Sequence, residues 1–106
     1  MLQIGIVIYD DAEVLDLRTL LPLDYEAISQ TVKKTNRVLL LHEATLTGGV
    51  AAELSAYISE NLFEYLDAPV LRAASLDTPV PFANNLEKQF LPVERLREQM
   101  KKLSAY

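Results

Sequence analysis

The 106-residue chain holds one histidine, His42, followed directly by Glu43. An imidazole beside a carboxylate can move protons near neutral pH. The pair closes an apolar run, Arg37–His42 (RVLLLH), and open α/β sheets bind ligands at strand ends of that kind. A lone histidine there also serves as a hydrogen-bonded structural residue, and both readings stay open. Asp10-Asp11, after another apolar run, is either half of an acidic Mg²⁺ pocket or a turn with two solvated acids. Gly48-Gly49 could offer backbone N–H groups to an anion. The two match neither G-x-G-x-x-G nor a P-loop, and no lysine follows, so a tight turn into a helix is the simpler use. Tyr57, Phe63 and Tyr65 read as core or interface packing.

The chain has no cysteine, which removes disulfides, thiolate zinc sites and a cysteine nucleophile. A single histidine excludes multi-histidine metal sites. No active site assembles from what remains, so no residue receives a catalytic, cofactor or metal role. Lys and Arg number 10 against 15 Asp and Glu, a formal net charge of -5. That balance speaks against nucleic acid, whose phosphates call for clustered cations, and for a basic protein partner. From about Glu87 onward the balance reverses and bases outnumber acids. Apolar runs such as Val38–Leu41 are far shorter than the roughly 20 residues a membrane span needs. The Met-Leu-Gln-Ile start lacks the basic region of a signal peptide, and a cysteine-free chain suits the reducing cytoplasm.

The elements follow from period and punctuation. Leu2–Tyr9 (LQIGIVIY) is β-branched and reads as a strand buried on both faces; Ala12–Leu17 (AEVLDL) reads as a second strand. Two residues between them cannot form a parallel crossover, which takes about 10–12. Adjacent pairing would therefore be an antiparallel hairpin; otherwise the two strands pair with different neighbours. Asp24 suits an N-cap for a helix over Tyr25–Thr35, with Lys33 and Lys34 at its C-terminal end. Arg37–His42 is the next strand, and Thr47–Gly49 leads into a long helix, Val50–Leu66, ended by Asp67-Ala68-Pro69. Val70–Ala74 is a further strand, Asp77–Asn85 a proline-punctuated loop, and Pro92–Ser104 a final helix with Leu96, Met100 and Leu103 as its stripe. Alternation of strands and helices predicts one α/β domain over residues 1–106, a three-layer sandwich on a mainly parallel sheet.

The opening run followed by Asp10-Asp11 is similar to the start of a response-regulator receiver domain. A receiver needs an acceptor aspartate after its third strand and a lysine after its fifth. Here His42-Glu43 and Ser75 stand instead, and Asp16 comes one strand too early. The first segment also resembles PfpI-type amidotransferase-like hydrolases, whose cysteine elbow is missing.

A longer resemblance covers about nine-tenths of the chain. EVLDLRTLLPLD (Glu13–Asp24), SQTVKKTNRVLLLHEA (Ser29–Ala44), TGG…AAELSAYI (Thr47–Ile58), FEYLDAPVLRAASLDTPVPF (Phe63–Phe82) and LEKQFLP (Leu86–Pro92) stand in the order of one family. That family is the C-terminal domain of the beta subunit of thiamine-dependent 2-oxo acid dehydrogenases, acting on 2-oxoisovalerate or pyruvate, with the transketolase C-terminal-domain fold. The departure is at the front. The family begins strand, helix, strand, whereas residues 1–12 leave no room for the helix, as in a fragment, an internal deletion or a fusion. Losing that helix would uncover an apolar sheet face and favour a homodimer.

The resemblance implies that thiamine diphosphate and magnesium belong to the parent enzyme, with no cofactor held by this chain. It implies a non-catalytic assembly and docking role, with the dehydrogenase alpha subunit and the subunit-binding domain of a dihydrolipoyl acyltransferase as partners. The positions it points to for partner binding are Asp67 and the carboxylate of Tyr106. An engineered or rearranged scaffold without activity is the alternative reading of the abrupt join near residue 12.

Overall fold

A computed structural model describes residues 5–6, 13–18 and 22–106. Their elements are β1 (Gly5–Ile6), α1 (Tyr25–Thr35), β2 (Leu39–Thr45), α2 (Val50–Asn61), β3 (Leu71–Ser75), α3 (Asn84–Phe90) and α4 (Val93–Ser104), with a single 3-10 turn at Phe63–Tyr65. β2 is the middle strand, antiparallel to β1 and parallel to β3.

Strand alternation sorts the core into two layers. Val38 and Leu40 face one way and join Ile28 and Val32 of α1 with Ala51, Leu54 and Ile58 of α2. Leu39 and Leu41 face the other way and join Ala68, Leu71, Ala73 and, from α4, Leu96 and Leu103. Successive residues of β2 are thus buried on opposite faces, the pattern of a strand between two helical layers. The three-layer α/β sandwich stands among the described residues.

Local chemistry sets the ends of α1. The Asp24 carboxylate accepts the Ala27 N–H at 3.0 Å. Ile28 and Val32, one turn apart, are fully buried. Asn36 stops the helix in the left-handed region at φ 66, which asparagine tolerates better than most residues, and its N–H donates to the Val32 carbonyl. Its side chain donates to the Tyr65 carbonyl at 2.6 Å, so one residue ends α1 and fixes the chain leaving α2.

The free edge of β3 is covered by α4, whose Arg95 and Gln99 lie one turn apart. Arg95 Nε donates to the Ala74 carbonyl at 2.8 Å and Gln99 Nε2 to the Arg72 carbonyl at 3.0 Å. The rest of the Arg95 guanidinium donates to the carbonyls of Gln89, Phe90 and Leu91 at the end of α3. An edge strand with open carbonyls invites pairing with another chain, and these side chains close it.

The structure corrects several expectations. Residues 13–18 form no strand. Their alternation is real, with Val14 69% exposed and Leu17 6%, but the segment lies on α1 rather than on a sheet neighbour: Glu13 accepts from Thr31 and Lys34. No hairpin therefore joins them to β1, which pairs with β2 instead. The rest of Leu2–Tyr9, and Asp10-Asp11, lie outside the described residues. The helix expected to reach Leu66 ends at Asn61, where Leu62 leaves the helical region (φ -126) and drops into the core. The expected loop over Asp77–Asn85 gives way to α3 at Asn84; α3 buries only Phe90, so it carried almost no apolar period. The open sheet face expected from the missing helix is not found at β2, which is covered from both sides.

Candidate functional site

His42 and Glu43 are neighbours in β2, and strand geometry sends their side chains to opposite faces. His42 is fully buried while Glu43 is exposed. The pair therefore does not act as a proton-transfer couple. His42 Nδ1 stands 3.0 Å from the Ala44 carbonyl, which places the proton on Nδ1. Nε2 is buried without a hydrogen-bond partner among the described residues. Burial holds the imidazole below its ordinary pKa, the Ala44 carbonyl partly offsets this, and the positive charge of Arg72 lowers it further. His42 is a neutral structural residue.

Its packing explains the two glycines. Gly48 has φ +74, a conformation that a Cβ would strain. At Gly49 a Cβ would fall 2.5 Å from His42 Cε1 and 2.6 Å from the Thr45 carbonyl oxygen. The turn before α2 is thus built against the imidazole. Thr47 in that turn is held from β3's side of the molecule, since its N–H and hydroxyl both donate to the Asp77 carboxylate. Those bonds keep the Asp77 carboxyl below the usual carboxylate range.

At the opposite end, where β2 and β3 begin, the structure brings together the two positions expected to bind a partner. Asp67 is exposed; its N–H donates to the Asn36 carbonyl at 2.8 Å, and its carboxylate has no partner among the described residues. The next residue in the chain, Arg37, donates from Nη2 to the main-chain oxygen of Tyr106 at 2.6 Å. Asp67 and Tyr106 therefore flank the same dipeptide, Asn36–Arg37. Lys33 lies 5.1 Å from the centre of the Tyr65 ring nearby. Tyr57 packs on Tyr25, with ring centres 4.4 Å apart, whereas Phe63 is 74% exposed. Arg37 and Arg95 were not singled out in the sequence; nothing in their spacing marks an arginine that will bond to main-chain oxygens.

The family model for the transketolase C-terminal domain matches residues 10–95. The chain belongs to this family. Over 97 residues, 91% of the chain, it is 44% identical to the pyruvate dehydrogenase E1 component subunit beta of Rickettsia felis, covering 30% of that protein. Over 78 residues, 74% of the chain, it is 54% identical to the subunit of the same name from Porphyra purpurea, of which 24% is covered. The chloroplastic subunit beta-2 of Arabidopsis thaliana is 50% identical over 78 residues, again 74% of the chain, with 19% of that protein covered. The chain spans less than a third of the length of these curated relatives.

A transketolase C-terminal domain raises the matter of thiamine diphosphate and magnesium. A magnesium ion asks for clustered oxygen ligands. Among the described residues no three His, Cys, Asp or Glu side chains stand together, and Asp77 is tied to Thr47. The described donor set does not fit a magnesium diphosphate. No helix among the described residues is long and apolar enough to cross a membrane.

Proposed function

We propose that this transketolase C-terminal domain serves a 2-oxo acid dehydrogenase beta subunit as a non-catalytic part, used for assembly and docking. The observation that carries the reading is its similarity to pyruvate dehydrogenase beta subunits over 91% of the chain. That similarity favours pyruvate over 2-oxoisovalerate as the parent substrate. Within this reading thiamine diphosphate and magnesium are held elsewhere in the enzyme. The dehydrogenase alpha subunit and a basic subunit-binding domain of the dihydrolipoyl acyltransferase are the partners, and the cytoplasm is the compartment.

Asp67 and Tyr106 are the docking positions in this proposal. An exposed carboxylate without an internal partner is available to a lysine or arginine of the incoming domain, while Arg37 keeps the Tyr106 oxygen beside it. Salt weakens such a charge contact, and truncating one partner of a close pair removes much of the binding. The chain is expected to give no turnover of pyruvate or 2-oxoisovalerate with thiamine diphosphate, magnesium and a dye acceptor. Dye reduction above the protein-free rate would overturn the non-catalytic reading.

A further inference from the structure

The buried His42 ring lies directly behind the turn that joins β2 to α2. Thr47 and Gly48 of that turn are exposed, so one layer of backbone separates the imidazole from water. Gly49 sits on the ring where no side chain would fit, and Gly48 takes a left-handed conformation. Two successive glycines give the segment more backbone freedom than other residues would. Few bonds close it. The Leu46 N–H donates to the Ser75 carbonyl at 3.2 Å, Thr47 donates twice to Asp77, and the Ala52 N–H donates to the Gly49 carbonyl at 3.0 Å.

A protonated imidazole donates from both nitrogens. Nδ1 has the Ala44 carbonyl, but Nε2 meets no acceptor among the described residues. The elements around the ring supply no carboxylate for it. Glu43 of β2 is exposed on the opposite face, and Glu53 of α2 is exposed while Ala51 and Leu54 turn inward. α1 gives this layer Ile28 and Val32, and β1 consists of Gly5 and Ile6. From β3 the charge that acts on the ring is that of Arg72, which repels a proton, and the Asp77 carboxylate beyond it is bonded to Thr47. A buried cation in such surroundings is costly, and hydrating the ring removes the cost.

We propose that His42 and the Gly48–Gly49 turn form an acid-operated latch, in which a proton on the imidazole swings the turn outward and frees the first turn of α2 while the remaining sheet and helices stay packed. The latch is shut at neutral pH and opens as pH falls through the ordinary imidazole range. Asp77 is held below the usual carboxylate range, so it stays ionised there and its bonds to Thr47 are not what fails first.

Amide hydrogen exchange of the whole chain, resolved by NMR and corrected for intrinsic rates, tests the latch between about pH 7.5 and about pH 5. With an ordinary imidazole in the open state, opening at Leu46, Thr47 and Ala52 should rise about thirtyfold, and hardly at all at Asn36 and Leu71 at the other end of the sheet. His42→Gln should abolish the rise. Should that variant fail to fold, the wild-type spectra decide, because the His42 Cε1 proton and the Gly48 and Gly49 amide signals should shift with one midpoint. Unchanged exchange in the turn, an equal rise at Asn36 and Leu71, or a rise that His42→Gln retains would overturn the proposal. So would an imidazole that titrates while the glycine signals stay still.

Discussion

At the end where β2 and β3 begin, the charges are mixed: Lys33 and Lys34 finish α1, with Lys34 paired to Glu13, Lys101 and Lys102 finish α4, and Arg37 is bonded to Tyr106, while the Asp67 carboxylate stands exposed. At the end where the strands finish, acids stand among bases, Glu94 paired with Arg97, and Leu76, Val80, Phe82, Leu86 and Val93 are open to water. Part of this arrangement follows from helix direction. α4 runs against β3, placing Glu94 in its first turn beside the strand's end and its lysines beside the strand's start, as the helix dipole favours. The two ends are also held differently. The starting end is closed by main-chain and side-chain bonds around Asn36, whereas the finishing end adds to the Thr47–Asp77 bonds and the main-chain bonds of Leu46 and Leu76 one guanidinium with four carbonyl partners and one imidazole packed on a glycine. A single chain can therefore hold its two ends by different chemistry, which its net charge of -5 conceals.

That contrast can be broken most severely at Arg95. Arg95→Ala removes donors to four carbonyls and should cost about 3 kcal/mol in urea unfolding. Arg95→Lys should recover only part of that, since an ammonium cannot reproduce the fork. A loss no larger than for a typical surface substitution would show that the finishing end does not depend on this residue. Gly49→Ala comes next, at about 2 kcal/mol, because the new methyl must displace the His42 ring or the turn. At the starting end Asn36→Ala should cost about 1 kcal/mol, from the left-handed backbone and the lost bond to Tyr65. A larger cost at Asn36 than at Arg95 would reverse the ranking of the two ends.

The smallest effect is set by pH. The folded chain binds a proton at His42 more weakly than the unfolded chain does, so stability is full above the ordinary imidazole range and declines as pH falls through it. Glu13 and Asp77, both held below the usual carboxylate range, add a second decline at lower pH. Thermal melts of His42→Gln should lose the first decline and keep the second. An unchanged profile would mean that the imidazole titrates alike in both states.

Much of the fold was legible in the sequence because its signals are local. Asp24 and the spacing of Ile28 and Val32 gave α1, and the continuous apolar run gave β2 to within a few residues. Residues 13–18 misled because alternation reports one buried face without saying whether a strand or a helix covers it. α3 was missed because seven residues with one buried side chain have no period to read. Asp67 and Tyr106 came from resemblance, and only the folded chain sets them around Asn36–Arg37. The buried His42, its glycine and the Arg95 contacts are tertiary facts, invisible to spacing.

Titration calorimetry of the chain with a basic subunit-binding domain of a dihydrolipoyl acyltransferase, at low salt, tests the docking role most directly. The account predicts a saturable one-to-one heat that shrinks with added salt and is largely lost with Asp67→Ala. No heat at low salt, or binding indifferent to both salt and Asp67, would contradict it.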